Sequence, residues 1–202
     1  MSTIFGSHVT VTGPADDVRR LRDAARLRDA ARRRIPAHRA EEFDGRQVAW
    51  SFEKLFRRHP ELRSKCGEPP RDDWHYFAEA SRIGRWNGAS RFRFFLEVKN
   101  VQIHEILRPL SKLYSSVCFV AAELCLDDSM FESRFIRQGR VSTWEMPESR
   151  MNVHWRAAAD DFGIDDLEVA YEDGAVRYQA ESEMFEEALA HWDRKVRGAL
   201  CL

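Results

Sequence analysis

Long apolar runs are missing from this chain: none approaches the roughly 18 residues of a membrane-spanning helix. The opening MSTIFGSHVTV has neither the basic nor the apolar region of a secretory signal. A soluble, cytoplasmic protein is therefore expected, with no membrane partner. Cysteine is also scarce, and Cys66, Cys118, Cys125 and Cys201 form no CxxC pair. An Arg-rich cytosolic chain keeps such thiols reduced, so Cys118 and Cys125, set in an apolar run, read as small core hydrophobes. His59, Cys66 and His75 are spaced too widely for a compact zinc motif. Asp160, Asp161, Asp165 and Asp166 lack the alternation and glycine of a calcium loop. Glycine is never arranged as G-x-G-x-x-G, as G-x-S-x-G or with a Walker lysine, and Asp161-Phe162-Gly163 stands without the other kinase motifs. The expectation is a non-catalytic protein with no metal and no cofactor; an enzyme whose site is assembled only by folding is the third reading.

What is present is ample core-forming material. In 202 residues there are thirteen Phe and six Trp, and 44% of the chain is apolar, which excludes a disordered polymer. Charge balances overall, with 32 basic and 33 acidic residues. It does not balance locally. Residues 1–70 carry fifteen Lys+Arg against ten Asp+Glu, and residues 151–202 carry five against twelve. A basic front and an acidic tail imply two binding surfaces, one half resting on the other, or simply two solvated faces.

His8–Thr12 is β-branched and strand-like, and Gly13-Pro14 ends it. Asp16 and Asp17 suit the start of a helix over about 14–34, Arg32–Arg34 its end, and a six-residue repeat, RLRDAA, runs twice between them. Val18, Leu21 and Ala25 share one side of that helix; Arg19, Arg22, Arg26 and Arg33 share another. Residues 36–72 read as an insert with a short apolar helical pattern at Val48, Phe52, Leu55 and Phe56. Trp74–Ala78 resembles a strand, and Phe92, Phe94, Leu96 and Val98 alternate with Arg91, Arg93, Phe95 and Glu97 as in a half-buried strand. Asn100 can cap a following helix with its stripe at Ile103, Ile106, Leu107, Leu110 and Leu113, and Cys118–Leu126 is a further strand. Residues 131–137 and 140–146 flank Gln138-Gly139 as a hairpin, and Leu167–Tyr171 with Ala175–Gln179 flank Asp173-Gly174 as a second. A helix capped at Ser182 and ended at Gly198 closes the chain.

That order predicts an α+β fold: a ferredoxin-like split βαβ core over 1–130 with the insert at about 36–72. Residues 131–202 add β-hairpins and a C-terminal helix packed on the core. Two stretches stand out: His8–Val18, with its Thr-Gly turn, and a run from Arg82-Ile-Gly-Arg-Trp-Asn-Gly88 through Phe92–Lys99 to Leu110-Ser-Lys-Leu-Tyr114 and Val117–Glu123. Both resemble the ferredoxin-like domain of YubB-type proteins, a family of unknown activity borne by plasmids and phages. The resemblance implies an accessory protein of a mobile element and brings no catalytic residues with it.

Two surfaces are candidates for binding. The stripe Arg19, Arg22, Arg26 and Arg33 could dock on a protein or track a phosphate backbone, since eight arginines and only Asp23 and Asp29 fall between 19 and 34. The strand face bearing Arg91, Arg93 and Phe95 could stack and hold nucleic acid, or be covered by the C-terminal elements. The first reading is a protein that binds the surface of a host or rival complex, including inhibition of nucleic-acid-guided defence. An RNA- or DNA-binding accessory protein is the alternative.

Overall fold

A computed structural model of the chain describes residues 4–25, 48–63, 77–80, 83–99, 102–125 and 130–201. The elements, in order, are β1 (Ile4–Gly13), α1 (Ala15–Ala25), β2 (Val48–Ser51), α2 (Phe52–Arg58), α3 (Pro60–Arg63), β3 (Phe77–Ala80), β4 (Gly84–Trp86) and β5 (Ala89–Lys99). Then follow α4 (Ile103–Leu113), β6 (Cys118–Cys125), β7 (Met130–Arg137), β8 (Arg140–Glu145), α5 (Glu148–Asp161), α6 (Leu167–Glu172) and α7 (Gly174–Leu200). The fold is α+β. One sheet runs in the order β2-β3-β5-β1-β6-β7-β8, with β4 paired to β5 off that path. Every pairing is antiparallel.

Because strand side chains alternate, each strand feeds two cores. Val9, Val11, Phe92, Phe94, Phe119, Ala121 and Ile136 face one side, where Val18 and Leu21 of α1, Leu55 of α2 and Ile103, Ile106, Leu107 and Leu110 of α4 close over them. Cys118, Val120, Ala122, Leu124, Phe131 and Phe135 face the other, under Met151 and Trp155 of α5 and Met184, Phe185, Leu189, Trp192 and Val196 of α7. The sheet is thus the middle layer of three.

Phe92 and Phe94 of β5 and Ile103, Ile106, Leu107 and Leu110 of α4 are buried as the sequence pattern requires, whereas Leu113, at the end of the expected α4 stripe, is exposed. The β7–β8 hairpin turns at Gln138-Gly139, both at positive φ. Helix α4 grips that turn: Ser111 Oγ accepts from Gly139 N–H at 2.8 Å, and Arg108 Nε donates to the Gly139 carbonyl at 3.1 Å. A Cβ on Gly139 would lie 2.3 Å from Lys112 Cε, in a backbone conformation that disfavours side chains. Gly139→Ala is expected to cost about 1–2 kcal/mol, read as a lowered urea midpoint at unchanged slope.

Five expectations are corrected. Val48 does not share a helix with Phe52, Leu55 and Phe56: it opens strand β2, and the helix α2 begins at Phe52. Leu167–Tyr171 and Ala175–Gln179 are not a hairpin: they form α6 and the first turns of α7. Asp173 is not a turn residue but the N-cap of α7, its carboxylate accepting from Ala175 and Val176 N–H at 2.9 and 3.0 Å. The helical spacing buries Ala170, Val176, Ala180 and Met184 together. Ser182 accordingly lies inside α7, and the helix passes Gly198 to end at Cys201, which takes the left-handed conformation at φ 57. Residues 148–161, for which no element was expected, are helical as α5. Helix α4 is entered from Gln102, not Asn100, which lies outside the described residues. Of the long N-terminal helix, Ala15–Ala25 is described; 26–34 lies outside, as do 74–76 of the expected strand that continues as β3.

Candidate interaction surfaces and the buried ion network

Helix α1 turns Val18, Leu21 and Ala24 into the first core and leaves Arg19 and Arg20 exposed. Both arginines are matched within the helix: Arg19 Nη1 lies 3.2 Å from Asp16, and Arg20 Nη2 lies 3.1 Å from Asp17. Arg22 is half-buried, and Arg26 and Arg33 lie outside the described residues. Over Ala15–Ala25 three arginines meet three aspartates, so the local cationic excess belongs to 26–34. The tertiary structure adds cations that the helix pattern does not reveal. The Arg20 guanidinium sits 5.4 Å from the Tyr114 ring. Burial raises the Tyr114 phenol, and Arg20 and Arg58 pull it back, which places the end of α2 beside α1.

Arg91 and Arg93 both project to the second face, toward α7. Arg91 stacks 4.0 Å from the Trp86 ring centre and donates from Nε to Thr12 Oγ1 at 3.2 Å. Burial, then the neighbouring Arg93, lowers its pKa to about 10. Arg93 pairs with Glu186 of α7 and lies 5.7 Å from the Phe185 ring. Phe95 pairs with His8 on β1 and with Glu79 on β3. His8 stacks on Phe185 at 5.1 Å and lies 3.9 Å from Glu181, which Arg177 Nε reaches at 2.7 Å. Burial pushes the Glu181 carboxyl up, but its contacts with His8 and Arg177 outweigh this and leave it below the ordinary value. Carboxylates of α7 therefore engage Arg93 and His8 on this face, and Arg91 is held by Thr12 and Trp86.

A buried ion network sits at the start of α4, and no pattern along the chain signals it. On the first face, Arg134 of β7 reaches Glu123 of β6 and Glu132 of its own strand. The Arg134 and Glu123 side chains are only 6% and 4% exposed. Glu123 Oε1 also accepts from Ile103 N–H at 2.6 Å and from Ser7 Oγ at 3.4 Å. Arg134 Nη2 donates to Gln102 Oε1 at 3.2 Å. Glu123 thereby caps α4 from a neighbouring strand, supplying the acceptor that Gln102 as N-cap does not. Burial raises its pKa despite Arg134 and the Ile103 amide. Four segments meet here, and no local motif could have announced it.

Beside this network His104 has a buried Nδ1 with no hydrogen-bond partner among the described residues. Burial, then Arg134 and Arg108, lowers its pKa to about 4 from 6.5. A histidine that is harder to protonate folded than unfolded withdraws stability as pH falls from 6.5 towards 4. In His104→Gln the acid-side loss of melting temperature in that window should be shallower than in the wild type; an identical profile would exclude this origin.

Across the sheet from α1, the acidic segment forms its own layer. His154 of α5 bridges Glu183 and Glu187 of α7 at 3.4 and 2.9 Å, and Arg150 pairs with Glu187 at 2.7 Å. No cluster of three or more His, Cys, Asp or Glu among the described residues has the arrangement of a metal site. No helix among them is long and apolar enough to cross a membrane. Comparison of the chain with family models, curated proteins and solved structures finds no match.

Proposed function

We propose that the chain is a non-catalytic protein that acts by binding the surface of another protein complex. The supporting observation is the segregation of charge across the sheet. Helices α1–α4 carry nine Lys+Arg against six Asp+Glu, whereas residues 148–200 carry six against thirteen. The two layers close over separate cores on opposite faces, which sets α1 and the acidic layer on opposite sides of the sheet. Opposite potentials on a shared rigid sheet steer and orient protein partners.

In the same reading, β1, α1, β3, β5, α4 and β6 constitute a ferredoxin-like core, a reading supported by the order β3-β5-β1-β6 with α1 and α4 on one face. The YubB-type resemblance belongs with it, and so do the cytoplasmic setting, the mobile-element origin and a host or rival complex as partner, nucleic-acid-guided defence included. Direct binding of RNA or DNA is the second reading, favoured by Arg20 and Arg58 both lying beside Tyr114.

The test is co-purification with a tagged chain, comparing the wild type with an Arg19→Ala/Arg20→Ala/Arg26→Ala/Arg33→Ala variant. Arg22 is left intact because it is half-buried. One stoichiometric protein retained by the wild type and lost by the variant, with the melting temperature moved by no more than roughly 2 °C, is expected. Anisotropy titrations with labelled RNA and DNA at low salt address the second reading. Steeply salt-dependent binding that the variant loses would displace the first.

A further inference from the structure

We propose that the outer face of α5, α6 and the first half of α7 is a docking surface for a Lys/Arg-rich protein segment with an apolar centre. The inference rests on the binding-protein reading and adds a second surface to it, across the sheet from α1. Of the large hydrophobic side chains exposed among the described residues, Leu113 alone lies elsewhere; Val153, Phe162, Val169, Tyr171 and Tyr178 all belong to this layer. Val153 is 63% exposed and Tyr178 70%. Isolated exposed hydrophobics are ordinary, but here five fall within 26 consecutive residues that build one layer.

The surface is held in shape. Tyr171 packs edge-on against Trp155 at 4.6 Å, and its hydroxyl donates to Asn152 Oδ1 at 3.4 Å. Gln179 Nε2 donates to Asp161 at 2.5 Å and ties the start of α7 to the end of α5. Phe162 and Tyr178 are the chain neighbours of that pair. Asp166 caps α6 and Asp173 caps α7. Aromatic anchors on a preorganised backbone lose little entropy on binding, which is why Tyr, Trp and Phe concentrate at interface centres.

Charge selects the partner. Residues 157–176 contain seven Asp+Glu and no Lys or Arg. Asp161, Asp166 and Asp173 are engaged as described, whereas Asp160, Asp165, Glu168 and Glu172 are exposed and make no ion pair within the described residues. Nucleic acid and anionic lipid are repelled by such a rim, and a second copy meeting it face to face would present the same acids. A cationic protein segment is the complement, with an apolar centre to cover Phe162, Val169 and Tyr178.

The test uses two labelled 18-residue helical peptides of equal positive charge, one with Leu at i, i+3, i+4 and i+7 among lysines, the other with Ser at those places. The full chain should bind the Leu peptide at least tenfold more tightly, with part of that affinity surviving 0.5 M salt. Phe162→Ser/Tyr178→Ser should abolish the difference between the peptides. Asp160→Asn/Asp165→Asn/Glu168→Gln/Glu172→Gln should weaken both at least threefold, and Glu105→Gln/Glu145→Gln should weaken neither. Equal affinities for the two peptides, or variants that bind as the wild type does, would overturn the proposal. Arg19→Ala/Arg20→Ala should leave peptide binding unchanged. If the peptides fail while co-purification through the arginine surface survives, this docking surface falls and the binding-protein reading stands.

Discussion

Arg134→Met is expected to remove about 3–5 kcal/mol of stability at neutral pH, because it leaves two carboxylates without their buried cation. For a chain of this length that lowers the melting temperature by roughly 10–15 °C. Arg134 draws Glu123, Glu132 and Gln102 together, and Glu123 in turn holds the first amide of α4. Once Arg134 is gone, desolvation of Glu123 is no longer offset by its principal cationic neighbour. A carboxyl whose folded pKa is raised takes up a proton on folding, and its contribution falls as pH rises through the carboxylate range. The deficit of the variant should therefore be largest above pH 6 and should narrow as pH falls towards 4. His104 acts in the same direction, since Arg134 is one of the charges that hold its pKa down. Adding Glu123→Gln should recover part of the loss at neutral pH, because the amide still offers an acceptor to Ile103 N–H and no longer buries a charge. The checks are urea denaturation of the wild type, the two single variants and the double variant at pH 4.5 and 7.5, and the coupling energy of the pair. A loss below about 1 kcal/mol that does not vary with pH would show that the network contributes little.

Trp192→Ala should have an effect of similar size by a different route. The side chain is buried at the centre of the second face, where its Nε1–H donates to Ser133 Oγ at 2.9 Å and its ring lies 6.1 Å from Phe135. Lys195 extends over both rings and reaches Ser142 Oγ at 2.5 Å. Truncating a buried Trp costs about 3–5 kcal/mol from lost transfer free energy and the cavity left behind. Trp192→Phe should cost less, about 1–2 kcal/mol, chiefly from the unpartnered buried Ser133 hydroxyl. Helix α7 also contacts β1 and β6, so loosening it should open the face that covers Cys118. That thiol is 1% exposed, and burial pushes its pKa up to about 11. Native-state labelling should find Cys118 slow in the wild type and markedly faster in Trp192→Ala, with exposed Cys201 fast in both. Unchanged protection of Cys118 would mean that α7 stays seated and that the loss is confined to the cavity.

Neither effect is legible along the chain. The alternation Arg91-Phe92-Arg93-Phe94 does assign two faces to β5, and Phe92 and Phe94 lie in the core. It does not say what lies opposite the arginines, and the answer, Glu186 for Arg93, comes from 93 residues away. The arginine stripe was legible as a pattern; the pairing of Arg19 with Asp16 and of Arg20 with Asp17 follows from helical spacing as well. The approach of Arg58 to the same surface does not, because it depends on where α2 packs. Asp173-Gly174 is ambiguous in principle: the same carboxylate that favours a tight turn also accepts from the first amides of a helix. Local preference could not decide between them.

The sequence by itself determined the periods: a two-residue alternation in β5, the 3.6-residue stripe of α4, and the positive-φ turn at Gln138-Gly139 that joins β7 to β8. These depend on side chains within a few residues of one another, and hydrophobic burial on one face is enough to select them. Tertiary structure decided what each face meets. It made 167–172 and 174–179 helical, and those helices bury Ala170, Val176, Ala180 and Met184 in one core. It set the acidic layer against the opposite side of the sheet from α1. It also assembled Ser7, Ile103, Glu123 and Arg134 into a single network. The energy of such contacts depends on register and desolvation, which exist only once the strands have paired.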